Sequence, residues 1–162
     1  MPVEVAVRAA ALAAARRHGD GSPGREVGGI LYGRCVRRDD CYAVEICAAL
    51  PARDAAGSAV HLVFTPAAWE HVFAGRAALE PDLEIVGWYH THPGLGVFLS
   101  GTDRRTHATW FGRPWQVAMV LDPLADEAGL FSGSGEAIAC RVVREAGETP
   151  ALPGAGRTPA LP

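Results

Sequence analysis

Three histidines and one aspartate lie close together in GWYHTHPGLGVFLSGTDRRTH, residues 87–107. Imidazole nitrogens and a carboxylate are the donors that suit Zn²⁺, so what matters is which of them converge. His90 and His92 stand two apart at the end of an apolar run that reads as a strand, and a period of two turns both side chains to one face. Pro93 ends the strand, GLGVFL carries the chain round, and Asp103 arrives in the first turn of a predicted helix. Three protein ligands leave a fourth tetrahedral position for water, and an open position permits chemistry. By itself a His-x-His pair is a weak signal, and Ser100 with Asp103 is equally the pattern of a helix capping box. His107 shares the helical face of Asp103 but lies about 5.4 Å further along the axis, so it is expected behind the ligands or at the surface.

A hydrolytic zinc also needs a base that is not a ligand. By residue type Glu26, Glu45, Glu70 and Glu84 are all open; Glu26 stands out because it precedes VGGILYG, whose glycines allow close backbone approach.

The elements that must position these groups follow from the patterning. An alanine-rich helix is expected over residues 3–18, stopping near Gly19, with Glu4 and Arg8 as an i,i+4 pair. EVGGILYGRCVRR and CYAVEICAAL read as an antiparallel hairpin. VHLVFT is a strand feeding a helix that opens at Pro66 and carries Trp69, Val72, Phe73 and Ala77 at helical spacing. LEIVGWYH is apolar enough for a strand buried on both faces. SGTDRRTHATWFG should form a helix capped by Ser100 or Thr102 and stopped by Gly112. WQVAMVLDP, EAGLFSG and EAIACRVV complete a mixed sheet with helices packed against it, an α/β fold.

At 162 residues the chain suits one domain with its own core, expected over residues 1–146. A net charge of −3 provides no field for gripping nucleic acid or an anionic membrane. The N-terminal apolar run is shorter than the ~20 residues of a membrane span and contains Glu4 and Arg8. The four cysteines form no CxxC pair and no secretory signal is evident, so a reducing, cytoplasmic setting is expected. TPALP occurs at 149–153 and again at 158–162, and such proline density predicts an extended tail over 147–162.

EVGGILYG at 26–33 together with HTHPGLGVFLSGTD at 90–103 resembles the JAMM (MPN-plus) zinc metalloprotease family. That pattern is a glutamate opening a strand, then His-x-His-Pro, six residues, Ser, two residues and Asp, and every element is present at its spacing. The resemblance spans roughly residues 3–143 and implies a curved mixed sheet flanked by helices, similar to cytidine deaminases. It implies zinc held by His90, His92 and Asp103, Glu26 as general acid/base, and Ser100 stabilising the oxyanion. It also implies an isopeptidase whose substrate is a ubiquitin-like protein or its conjugate, with sulfur-carrier adduct hydrolysis or a non-catalytic MPN scaffold as alternatives. HPGLGVFLSG is more similar to the eukaryotic deubiquitinating branch, from which Leu95 and Val97 depart in ways that bear on specificity. All 15 basic residues are arginine; a GC-rich genome explains that, and so would a deconjugase that offers a ligase no lysine.

Overall fold

The computed structural model describes residues 1–53, 56–57 and 62–144. The elements run β1 (Val3–Arg8), α1 (Ala9–Asp20), β2 (Gly28–Arg37), β3 (Tyr42–Pro51), β4 (Ala56–Gly57), β5 (Leu62–Val63) and α2 (Pro66–Arg76). They continue with β6 (Glu84–Thr91), α3 (Gly101–Trp110), β7 (Val117–Asp122), β8 (Glu127–Phe131) and β9 (Cys140–Val143). Seven strands form one mixed sheet in the order β8-β7-β6-β2-β3-β1-β9. The expected α/β architecture is present, with helices on a central curved sheet.

The N-terminal segment departs from expectation. Val3–Arg8 is a strand, and the helix begins only at Ala9. VEVAVR alternates valine with other residues, and Val5 and Val7 are buried as β1 pairs in parallel with both β3 and β9. Glu4 and Arg8 therefore do not pair with each other: Glu4 lies 3.7 Å from Arg38, and Arg8 Nε donates to Glu45 at 3.0 Å. An i,i+4 spacing on a helix is also an even spacing on a strand, and long-range pairing decided between them.

Two cores flank the sheet. Ala11, Leu12 and Ala15 of α1 pack with Leu31, Tyr89, Val117, Met119 and Leu121, while Ala68 and Val72 of α2 pack with Ile30, Tyr32, Trp88, Ala118 and Val120. Alternate residues of β2 and β7 thus serve opposite cores, as a sheet buried on both faces requires. In β6 the register against β2 shifts between Leu31↔Gly87 and Tyr32↔Ile85, so a bulge resets which side chains face each core. Gly87 sits at that shift, where an added Cβ would meet the Val117 carbonyl oxygen at 2.0 Å. Beyond it, Trp88 and His90 share one face and stack at 4.4 Å.

α3 ends at Trp110 with Phe111 as C-cap, which leaves Gly112 just past the end as expected, and the buried Phe111 ring stacks on Trp88 at 5.7 Å. Smaller differences occur at other element ends. Of EAIACRVV only Cys140–Val143 is a strand, Ala137 making a single bridge to Phe131. Of VHLVFT, Leu62–Val63 pairs with Ala56–Gly57, while Val60 and His61 lie outside the described residues, as does the tail at 147–162. All four cysteines are free, and no helix among the described residues is long and apolar enough to cross a membrane.

Candidate metal centre

The centre is assembled at one end of the β2–β6 ladder. Gly28 faces His90 in that antiparallel pairing. The ladder continues past both strands: Thr91 N donates to the Val27 carbonyl at 2.9 Å, and Val27 N donates to Thr91 Oγ1 at 3.0 Å. The same register carried one step on sets Glu26 opposite His92. Glu26 Oε1 lies 3.8 Å from His92 Nε2. Of the four candidate glutamates, Glu26 alone comes within ion-pair distance of the histidines among the described residues. Glu45 is held by Arg8 and Arg34, and Glu84 starts β6 at the end remote from His90.

His90, His92 and Asp103 are buried, and one ligand atom from each lies within 4.8 Å of the others. His90 Nε2 and His92 Nε2 are 3.1 Å apart, and each is 3.2 Å from Asp103 Oδ2. Ser100 is the N-cap of α3: its Oγ accepts from Asp103 N at 3.1 Å, and its own N donates to Asp103 Oδ2 at 2.8 Å. The capping box and the candidate ligand set therefore share Asp103, the cap aiming the carboxylate that faces the histidines. The Ser100 hydroxyl proton takes no part in either bond and is free to donate.

The donor set fits a divalent cation. His92 Nδ1 lies 3.2 Å from the Gly96 carbonyl oxygen. A carbonyl only accepts, so Nδ1 carries the proton and Nε2 presents a lone pair. That lone pair is directed at a carboxylate oxygen and a second imidazole, a buried gathering of acceptors that a cation would satisfy. On its other side, His90 Nδ1 is buried without a partner among the described residues.

The electrostatics agree. Burial pushes Glu26 up to about 7, against the pull of His92 and with the charge of Asp103, which suits a group that must both take and return a proton near neutrality. Burial also acts to raise Asp103, but His90 and His92, which donate to it in their protonated forms, prevail and hold it well below the usual carboxylate range. Burial keeps His90 below its ordinary value. In His92 burial is outweighed by hydrogen bonding to Asp103 and by the charges of Asp103 and Glu26, so its net shift is upward.

His107 stays outside the cluster, as helix geometry predicts. It is buried rather than on the surface, and its Nδ1 accepts from Trp88 Nε1 at 3.1 Å. Trp88 in turn stacks on His90 with an interplanar angle of 12°. Residue types alone do not expose this support, although the aromatic two positions before His90 on the same face was a readable sign.

The chain matches the JAB1/Mov34/MPN/PAD-1 ubiquitin protease family over residues 2–110, a span that contains every residue of the centre. It belongs to that family. Among curated relatives it is 31% identical to 26S proteasome non-ATPase regulatory subunit 14 of Drosophila melanogaster over 129 residues, which cover 78% of this chain and 40% of that protein. It is 54% identical over 43 residues to COP9 signalosome complex subunit 5 of Caenorhabditis elegans, covering 25% of this chain and 11% of that one. The chain thus spans well under half the length of these relatives. A protein of Desulfitobacterium hafniense solved in solution shares the fold, with a TM-score of 0.62 at 19% identity, covering 87% of this chain and 94% of that one.

Proposed function

We propose that the chain is a zinc metallopeptidase that hydrolyses the amide or isopeptide bond following the C-terminus of a ubiquitin-like protein. The observation that carries this reading is the placement of Glu26, a buried carboxyl opposite His92, beside three convergent ligands yet not one of them. Membership of a family described as a ubiquitin protease supports the substrate class.

His90 Nε2, His92 Nε2 and Asp103 Oδ2 would hold the ion. Bound zinc would lower the pKa of its water to about 7 and polarise the scissile carbonyl. Glu26 takes the proton of the attacking water and delivers it to the departing amine as the C–N bond breaks. Ser100 donates its hydroxyl hydrogen to the carbonyl oxygen as negative charge develops there. A ubiquitin-like C-terminus would enter extended and bind through its main chain, the mode by which a small domain selects a backbone.

The test pairs elemental analysis of the purified chain with mass spectrometry of cleavage, using ubiquitin-like proteins joined to a lysine side chain. One zinc per chain and cleavage after the terminal glycine are expected. Glu26→Gln should keep the metal and lose turnover. Wild-type turnover in that variant would remove Glu26 from the reaction, and a chain that binds no zinc would favour a non-catalytic scaffold.

A further inference from the structure

The loop that follows the second histidine is held by a buried carboxylate from another strand. Leu95 N donates to the His92 carbonyl at 3.1 Å, so residues 92–95 form a β-turn with Pro93 at its second position and Gly94, at φ +72, at its third. That is the type II pattern, in which the third position calls for a left-handed residue. Gly96 follows at φ +84. Two left-handed glycines leave the turn little intrinsic stiffness, so something outside it must hold it in place.

Asp122 does so from the end of β7. It is 3% exposed, and its two oxygens divide the work. Oδ1 accepts from Gly94 N at 2.9 Å, Leu124 N at 3.0 Å and Ala125 N at 3.2 Å, tying the turn to the β7–β8 connection. Oδ2 accepts, among the described residues, from Gly96 N alone, at 2.9 Å. Gly96 is the residue whose carbonyl receives the His92 Nδ1 proton at 3.2 Å. Neighbouring backbone adds a second anchor, since His92 N donates to the Leu121 carbonyl at 2.7 Å.

We propose that Asp122 is a positioning residue for the metal centre: through the Gly96 amide it sets the Gly96 carbonyl that keeps His92 in the Nδ1-protonated tautomer, with Nε2 free to bind the ion. The chain of contacts runs from the Asp122 carboxylate to the Gly96 amide, from the Gly96 carbonyl to His92 Nδ1, and from His92 Nε2 to the site. Hydrogen-bonding partners behind a ligating histidine fix its tautomer and ring orientation, and here the partner is a backbone carbonyl whose own position depends on a distant side chain. The proposal rests on the metal-binding reading of the site.

The split between the two oxygens makes Asp122→Asn a selective test. Its side-chain oxygen can replace Oδ1 for three amides, while its NH₂ group meets the Gly96 N–H donor to donor and removes that single tie. Zinc affinity measured by competition with a chromogenic chelator is expected to fall by about 10- to 100-fold. In ¹⁵N spectra of the zinc-free variant at pH 8, the His92 ring should lose its predominant Nδ1–H tautomer. Unchanged affinity and tautomer in a folded variant would overturn the proposal.

If the variant does not fold, wild-type protein decides. Zinc-free His92 should show an Nδ1–H protected from exchange with solvent, and the Nε2–H tautomer there would refute the mechanism. A wild-type chain that shows the expected tautomer but binds no zinc would instead refute the metal reading and leave the Asp122 tether standing.

Discussion

At the scale of single residues, His107 separates support from ligation. Burial pushes its pKa down to about 4, while the unfolded chain titrates near the ordinary 6.5. Between those values the unfolded state binds more protons, so the stability associated with neutral His107 is complete above about pH 6.5 and is lost as pH falls through about 4. The loss amounts to roughly 3 kcal/mol at most. His107→Gln retains an acceptor for Trp88 Nε1 and removes the titration. Urea midpoints between pH 7 and pH 4 should therefore fall less steeply for the variant, which should also keep its zinc. Parallel pH profiles would assign the acid sensitivity to other groups, and loss of zinc would place His107 among the ligands.

At the scale of elements, α3 joins folding to chemistry through its first turn. Ser100 caps the helix and is the expected oxyanion donor, so Ser100→Ala should act twice. Loss of the cap should cost about 1 kcal/mol, and loss of the donor on the order of 100-fold in turnover. Ser100→Gly separates the effects, because glycine at an N-cap costs only a few tenths of a kcal/mol yet carries no side-chain donor. Thermal unfolding should recover in that variant while turnover stays low; recovery of both would make the serine a structural cap only. α3 itself was legible because its signals are local: the capping box lies within four residues, and the two-residue spacing of His90 and His92 is a strand property. β1 was not legible as a strand. Glu4 and Arg8 fit a helix equally well until β3 and β9 supplied partners remote in sequence.

At the scale of the whole molecule, the proposed ion would join β6, α3 and the turn after His92, so its removal should be felt globally. Binding to the folded chain alone stabilises it by about 4 kcal/mol at a free zinc concentration 1,000 times Kd. For a chain of this size that is on the order of 10 °C in Tm. Calorimetry with and without a chelator should show a shift of that order, restored by added zinc. An unchanged Tm would mean that the folded chain does not bind zinc.

The donor types, their spacing and the capping box are properties of short segments, and with them the sequence by itself determined that His90, His92 and Asp103 could meet. By residue type it left four glutamates open, and it was the resemblance of EVGGILYG to the family pattern that pointed to Glu26. Glu26 lies more than sixty residues before His90, and only the antiparallel register of β2 against β6 sets it opposite His92. The bond from Trp88 to His107 and the reach of Asp122 to Gly96 belong with it. Each is a contact between separate elements, created when the sheet and its helices close on one another, and no local pattern encodes it.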